Sequence, residues 1–220
     1  CNLIFCLDCS RKNIWRRSFY PQYKLDRDVK TEKEIEKTEF DVGKVFYYFM
    51  TMTLPRLKEQ YNCISVRAEH AEGDDVIARM VERISENPNY IKPIIVASDK
   101  DLAMLSDKAF LINLNGDHYS MQTILEKNGL EKMTEWDQQK FIILKALMGD
   151  RGDNVPPIKP KMGMKTAAKL ICEPGGLSNL ISQSAELKEN FKRNFRLVSL
   201  TCIPNDVKLE IDKAFDEARV

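Results

Sequence analysis

The apolar residues of this chain fall into short runs that stop at charged residues, a pattern typical of an α/β protein. Residues 3–7, 63–66, 93–98 and 110–114 have the length and composition of strands. The third run is apolar almost throughout, as in a parallel sheet that is covered on both faces. Residues 74–81 carry apolar side chains at helical spacing. This order predicts an α/β fold with a central, mainly parallel sheet flanked by helices.

A longer helical region is predicted between the first two strands. Residues 31–39 read as the start of a mixed-charge helix, which continues after Gly43 into an aromatic-rich apolar stretch. Because that stretch is either amphipathic or buried on all sides, we expect Tyr48, Phe49 and Met52 to belong to the core rather than to a surface that stacks bases.

The C-terminal part of the chain also reads as helical. Residues 136–148 are predicted to form a helix with Thr134 as its N-cap. A tight turn at Gly163 then opens a second helix, with Lys165 and Thr166 in its first turn. The N–H groups at a helix start bind phosphate, although a small loop with glycine and lysine is weak support when taken alone.

Composition narrows the class of protein. The 220 residues suffice for a full core, and no apolar run approaches the length that spans a membrane. Net charge is only +1, yet basic residues crowd residues 11–33 and 159–169. Such stretches suit a polyanion that is brought to a metal ion, or they are ordinary solvated surface. The six scattered cysteines favour free thiols in a reducing compartment over a zinc site.

Acidic residues stand where the apolar runs stop, which is where a side chain can face a cleft. The candidates are Asp8, Glu72, Asp74, Asp75, Asp99, Asp101, Asp150 and Asp153. Held close together, these carboxylates would repel one another, and a divalent cation is the usual remedy. Ligands that are all oxygen favour a hard ion such as Mg²⁺ or Mn²⁺. Capping of a helix start accounts for one or two of the acids at residues 72–75, but not for all three.

Four motifs, in order, resemble the flap endonuclease and 5′→3′ exonuclease superfamily, which is PIN-like, and most of all its bacteriophage RNase H-type members. The motifs are Leu7-Asp8 followed by Arg16-Arg17 and the YKLDR of residues 23–27, the AEGDDVIA of 71–78, the SDKDL of 98–102, and the GDRGDNVP of 149–156 that runs into the GMKTA of 163–167. The last motif is long and specific, and the resemblance covers nearly the whole chain.

The resemblance implies a PIN-like catalytic domain over residues 1–148, with a helical arch at about 24–60. A helical DNA-binding region of helix–hairpin–helix type would follow at residues 149–220. Asp8, Glu72, Asp74 and Asp75 would hold one metal ion, Asp150 and Asp153 a second, partly through water, and Asp99 and Asp101 would lie near both. Lys24 and Arg27 would act on the phosphate. The DNA-binding residues would be Arg16, Arg17, Lys159, Lys161, Gly163, Lys165 and Thr166.

The activity implied is that of a magnesium-dependent 5′ nuclease that cleaves phosphodiesters in replication and repair, for example in primer removal. Two or more Mg²⁺ ions, replaceable by Mn²⁺, and a K⁺ ion at the helix–hairpin–helix turn are the expected cofactors. The expected partners are DNA with a 5′ flap or 5′ end, RNA–DNA hybrid, and replication proteins such as a single-strand binding protein, in the cytoplasm of the host cell if the source is viral. The alternatives are a DNA-binding module of the same fold with little or no activity, a small-molecule phosphohydrolase, and a PIN-type ribonuclease for single strands.

Three departures from the family pattern accompany this resemblance. The family's first metal aspartate lies on a strand before the one that ends at Asp8, so we expect the functional protein to carry a further strand before Cys1 that ends in an aspartate facing Asp8. The hairpin reads PIKPKMG at residues 157–163, with one extra residue and without the first hairpin glycine. The family also continues past the position of Val220.

Overall fold

The computed structural model describes residues 3–38 and 41–219, and its strands and helices have the order of an α/β protein. Predictions about the first two residues, about Glu39 and about the last residue lie outside this description. Two compact units form: one from Cys1–Val76, Gly152–Asn154 and Pro204–Val220, the other from Ile77–Arg151 and Val155–Ile203. They do not coincide with the division after residue 148, which is a division by function and stays a prediction.

The first unit contains a small parallel sheet. Strand β1 (Ile4–Cys6) pairs with β2 (Ile64–Val66), and both follow the apolar runs that predict them. The helices between them are α1 (Trp15–Phe19), α2 (Leu25–Thr38), α3 (Val42–Tyr48) and α4 (Leu54–Tyr61), with a π-helical turn at Phe49–Thr53. This unit also contains the C-terminal helix, which packs against β2.

The stretch from α3 to α4 differs from its prediction. Tyr48 and Met52, which we expect in the core, are exposed, and so are Val45 and Tyr47. The prediction of a core position is wrong for both residues. A run that is apolar on every side does not show which face of the helix finds a partner, because its pattern has no polar side to mark the solvent.

The second unit contains the other strands. Strand β3 (Ile94–Val96) pairs in parallel with β4 (Phe110–Ile112), and β5 (His118–Tyr119) joins β4 antiparallel. The described strands therefore form two small sheets, one in each unit, where the sequence predicts a single central sheet. Burial of β3 also differs: Ile94 and Val96 are 62% and 63% exposed and only Ile95 is buried, so the strand is covered on one face rather than on both.

Helices make up the rest of the second unit. Helix α5 (Gly73–Ser85) begins in the first unit and continues into the second. The second unit then contains α6 (Met121–Lys127), α7 (Gln138–Met148), α8 (Met164–Cys172), α9 (Gly176–Ile181) and α10 (Ala185–Val198). Helix α11 (Asn205–Glu217) belongs to the first unit. Helix α7 packs against α8 and α10. Its N-cap is Asp137, whose side chain accepts a hydrogen bond from the Lys140 N–H, so Thr134 is not the cap. Both residue types cap helices well, and the apolar pattern does not choose between them.

A buried asparagine joins these helices at the end of α7. The side-chain amide of Asn194 donates to the carbonyl oxygens of Ala146 and Pro156 at 3.0 and 2.7 Å. Gly149, which ends α7, has φ +68°, and a Cβ there would lie 2.3 Å from the Val155 carbonyl oxygen. Only glycine fits this approach, so the turn that presents Asp150 depends on it. Among the described helices, none combines the length and apolar character needed to cross a membrane.

Candidate active site

A buried arginine holds two of the predicted acidic residues together in the first unit. The guanidinium of Arg16, which is 3% exposed, donates to both carboxylate oxygens of Asp75 at 2.7 and 2.8 Å and to Glu72 Oε2 at 2.9 Å. Burial lowers the pKa of Arg16, but the neighbouring acids outweigh burial and leave this pKa above its ordinary value. The three side chains thus form a buried, charged group.

Asp75 has protein partners on both carboxylate oxygens. Besides Arg16, Oδ2 accepts from the Trp15 indole N–H at 3.0 Å and from the backbone N–H of Glu72 at 3.1 Å. Asp75 is completely buried. A carboxylate with four protein donors is fixed in orientation, and in turn it fixes the backbone of Glu72.

Two residues predicted to act on phosphate also lie against acids of the first unit. The Lys24 ammonium contacts Glu72 Oε1 and lies 3.8 Å from Asp153 Oδ2, while the Arg27 guanidinium contacts Asp153 Oδ1. Burial lowers the pKa of Lys24, but Glu72 and Asp153 outweigh it, so this pKa is raised. The Tyr23 hydroxyl completes the group by donating to Glu72 at 3.2 Å and to Asp153 at 3.0 Å.

The other two predicted acids of the first unit, Asp8 and Asp74, lie beside and within the start of α5. Asp8 Oδ1 accepts from the Gly73 N–H at 2.7 Å, and a Cβ on Gly73 would lie 3.3 Å from that oxygen, so glycine gives Asp8 its room. Asp74 is partly exposed in the first turn of α5. Through the hydrogen bond from the Gly73 N–H to Asp8, the end of β1 and the start of α5 are held side by side.

The second unit holds its own acidic group, arranged around a lysine. Lys145 Nζ on α7 lies 2.7 Å from Asp101 Oδ1 and 3.2 Å from Asp150 Oδ2, and the Lys145 side chain is 16% exposed. Asp99, three residues after the end of β3, accepts the Asp101 N–H at 2.8 Å and so caps the 3₁₀ turn at Lys100–Leu105. Asp150 is held by two backbone hydrogen bonds with Val155, each 2.8 Å long.

Charge in this second group is unevenly balanced. Burial raises the pKa of Asp101, and Asp99 and Asp150 add to this while Lys145 opposes it. Burial lowers the pKa of Lys145, but Asp101 and Asp150 outweigh burial and raise it. Two carboxylates therefore share one ammonium, with Asp99 close to Asp101, and the formal charges of the group add up to a negative excess.

The donor chemistry of both groups suits a hard divalent cation, although the carboxylates here face the chain's own cations. In the part of the chain that the structure describes, no three His, Cys, Asp or Glu side chains converge as a metal-ligand cluster. The Lys145 ammonium nevertheless occupies a position between Asp101 and Asp150 in which a divalent cation could bind. Two carboxylates with water as further ligand are a usual set for Mg²⁺, so these residues fit such an ion. Asp150 contacts Lys145, and Asp153 contacts Arg27; that these two acids share one ion stays a prediction.

The basic residues predicted to bind DNA divide into two kinds. Arg16 is buried, and Arg17 donates to the carbonyl oxygens of Tyr23 and Lys24 and to Asp28. These arginines hold the acidic group and the turn before α2, and a contact of either with DNA stays a prediction.

The second kind lies at the start of α8. Lys161, Gly163, Lys165 and Thr166 are exposed and Lys159 is half-buried. Gly163 is the N-cap and provides no side-chain acceptor for the first N–H groups of the helix. Ile158 and Met162 are buried and anchor the loop. The helix start with its lysines thus faces solvent, as a phosphate site requires.

Three residues of these groups are not among the site residues predicted from the sequence, although Tyr23 opens the YKLDR motif: Lys145, Tyr23 and Trp15. For Lys145 a signal exists, because it is the one charged residue within the apolar run FIILKALM at 141–148. A lysine in such a run needs a buried partner. Tyr23 and Trp15 carry no comparable signal, since buried aromatic residues are common in any core.

Solved structures of a phage nuclease share this fold. A bacteriophage T5 protein that was co-crystallised with metal ions matches 99% of this chain and 85% of its own, with a TM-score of 0.71 and 24% identity. The flap endonuclease of bacteriophage T5, as a pseudo-enzyme–product complex with DNA and metal ions, matches 98% of this chain and 82% of its own, with a TM-score of 0.70 and 23% identity. The fold is therefore that of a flap endonuclease.

Sequence comparison defines the family. Residues 1–134 match the model of the 5′-3′ exonuclease, N-terminal resolvase-like domain. The 5′-3′ exonuclease of Buchnera aphidicola subsp. Schizaphis graminum is 26% identical over 192 residues, which cover 87% of this chain and 60% of that protein. DNA polymerase I of Geobacillus stearothermophilus is 29% identical over 183 residues, which cover 71% of this chain and 20% of that protein. The chain belongs to the 5′-3′ exonuclease family of nucleases, and the resemblance drawn from its motifs is confirmed.

Proposed function

We propose that this chain is a divalent-metal-dependent 5′ nuclease that hydrolyses phosphodiesters at 5′ flaps and 5′ ends of DNA and RNA–DNA hybrid, as in primer removal. The observation that carries the proposal is that in each unit two of the predicted acids lie against one lysine ammonium: Glu72 and Asp153 against Lys24, and Asp101 and Asp150 against Lys145. Such an oxygen-only donor set suits Mg²⁺ or Mn²⁺. Metal ions in such nucleases, when bound, activate water and stabilise the leaving oxygen of the phosphodiester.

The chain's own side chains have distinct tasks in this proposal. The ammonium of Lys24 contacts Glu72, and the guanidinium of Arg27 contacts Asp153. When a phosphate binds there, these two cations would contact its oxygens instead of the carboxylates. Held in place beforehand, these cations stabilise the charge that develops on the phosphate in the transition state. Tyr23 keeps the two carboxylates in orientation. Asp75, with its four protein donors, acts as a positioning residue for Glu72 rather than as an open ligand.

Binding of duplex DNA is assigned to the start of α8. The exposed N–H groups after Gly163, together with Lys165 and Thr166, would contact the phosphate backbone without reading bases. A K⁺ ion at this helix–hairpin–helix turn, a single-strand binding protein as partner, and action in the cytoplasm of a host cell are parts of the same proposal.

A second candidate is a structure-specific DNA-binding module with little or no nuclease activity. The pairing of the carboxylates with Arg16, Lys24, Arg27 and Lys145 favours it, because a neutralised carboxylate has less affinity for a metal ion.

A cleavage assay separates the two candidates. A fluorescent 5′-flap DNA, a blunt duplex of matched sequence and an RNA–DNA hybrid with a 5′ RNA end are incubated with the protein in Mg²⁺, Mn²⁺, Ca²⁺ or EDTA. We expect cleavage of the flap and of the hybrid with Mg²⁺ or Mn²⁺ and none in EDTA. Tight binding of the flap without products in any metal would support the binding module, and equal cleavage in EDTA would exclude metal-dependent hydrolysis.

The α8 start makes a separate prediction about binding. In Lys165→Ala, duplex affinity should fall about equally for all sequences, and the salt dependence of binding should decrease by about one in slope, because one phosphate contact is lost. In Thr166→Ala, affinity should fall without a change in slope, because threonine carries no charge. Fluorescence anisotropy in Ca²⁺ over a series of KCl concentrations measures both quantities.

The matched control is Lys213→Ala, which removes an exposed positive charge on α11. Its affinity and slope should stay near those of the unchanged protein. A loss at Lys165 that depends on base sequence would mean that this loop reads bases, contrary to the assignment.

A further inference from the structure

A lysine occupies the place between two carboxylates where a divalent cation would be expected. Lys145 Nζ lies 2.7 Å from Asp101 Oδ1 and 3.2 Å from Asp150 Oδ2, and these oxygens belong to the turn after β3 and to the end of α7. The Lys145 side chain is largely buried, so its ammonium is held by these two acids rather than by solvent. The contact therefore joins two elements of the second unit through one positive charge.

The negative charge of the group exceeds what a single ammonium neutralises, which favours a divalent cation. Asp101 and Asp150 share a single ammonium, and Asp99, which accepts the Asp101 N–H at 2.8 Å, adds a further negative charge close to Asp101. A divalent ion would neutralise the excess, but it binds carboxylate oxygens at about 2.0–2.1 Å in the case of Mg²⁺. It cannot take these two oxygens while the ammonium lies between them, because the two cations would overlap and repel each other.

We infer that Lys145 is a resident counter-cation that competes with a divalent metal ion for Asp101 and Asp150. This inference rests on the proposed metal dependence of the nuclease. Without metal, the positive charge of Lys145 offsets the repulsion between the two carboxylates. Its contacts with them hold the turn after β3 to the end of α7. When a metal ion binds, the ammonium moves away on the flexible lysine side chain. The metal ion then neutralises the two carboxylates in place of the ammonium. Lys145 thereby sets the metal concentration at which the site fills.

The test compares metal affinity rather than activity. Mn²⁺ binding is followed by isothermal titration and by electron paramagnetic resonance of free Mn²⁺ for the unchanged protein, Lys145→Met, Lys145→Gln and Lys145→Arg. Both neutral variants should bind Mn²⁺ about tenfold more tightly, the scale of removing one unit charge a few ångströms away at a partly screened site. Lys145→Arg keeps the charge and should stay near the unchanged protein. The neutral variants should also be less heat-stable in EDTA and gain more from added Mn²⁺.

Two controls assign the effect to this group. Lys140→Met removes a lysine from the same helix, where Nζ contacts Thr134 Oγ1 and the Glu135 carbonyl oxygen instead of a carboxylate, and it should leave Mn²⁺ affinity unchanged. In an Asp150→Asn background the gain from Lys145→Met should largely disappear, because the competed ligand is gone.

The outcomes distinguish the inference from the function on which it rests. Equal or weaker Mn²⁺ binding by both Lys145→Met and Lys145→Gln, with measurable binding by the unchanged protein, would overturn the competition while leaving a metal-dependent nuclease in place. A gain that persists unchanged in Asp150→Asn would also overturn it. If neither the unchanged protein nor any variant binds Mn²⁺ and no flap is cleaved in any metal, the proposed function itself fails.

Discussion

Replacement of Asp101 by asparagine is expected to reduce flap cleavage by at least about 100-fold, the scale for losing one group that stabilises a transition state. Asp101 is one of the two carboxylates that hold the Lys145 ammonium. Asparagine has nearly the same shape but no charge, so the group would lose half of the anionic pair that a divalent cation needs. The backbone N–H of residue 101 would still donate to Asp99, and the turn after β3 should persist.

DNA affinity should not fall in the same variant, because Asp101 is an acid and supplies no attraction for phosphate that the substitution would remove. Single-turnover cleavage with Mg²⁺ and anisotropy with Ca²⁺ measure the two effects on one substrate. Asp107→Asn is the matched control, since Asp107 is exposed in the same unit and six residues further along the chain. Unchanged cleavage by the double variant Asp99→Asn/Asp101→Asn would remove both residues from the mechanism.

The places of the acids were accessible from the sequence for a simple reason. A strand or helix ends where its apolar pattern stops, so Asp8 and Asp99 could be placed at strand ends and Asp74 at a helix start. Their partners could not be placed, because contacts such as Arg16 with Asp75 join residues 59 positions apart. In the sequence Arg16 belongs to a basic stretch that resembles surface, and only the packing of Trp15 and Tyr23 around it shows that it is buried.

The limits on the fold prediction have a similar origin. Apolar runs predict the strands well, but pairing depends on which strands meet, and the described strands form two sheets instead of one. Residues 93–98 have the composition of a strand that is covered twice, yet Ile94 and Val96 are exposed. Composition reports what a strand could bury, whereas burial depends on what lies against it. The same distinction explains the exposed Tyr48 and Met52.

The second large effect is expected on stability. Asp75→Ala should lower the free energy of unfolding by about 3–5 kcal/mol, the cost of removing one partner of a buried ion pair. Arg16 would remain buried with Glu72 as its remaining acid, and the Trp15 indole N–H would lose its acceptor. Urea unfolding in EDTA, which removes any contribution from metal binding, measures the change.

The control and the double variant decide whether the ion pair is the cause. Asp26→Ala removes an exposed acid from the first turn of α2 in the same unit, and the loss of its interaction with the helix dipole should cost less than about 1 kcal/mol. Adding Arg16→Met to Asp75→Ala should recover part of the lost stability, because no uncompensated charge then remains buried. If Asp75→Ala were no more destabilising than Asp26→Ala, the group around Arg16 would not hold Glu72 in place. The orientation of that acid would then have to come from Lys24, which contacts Glu72 Oε1, and from Tyr23, which donates to Oε2.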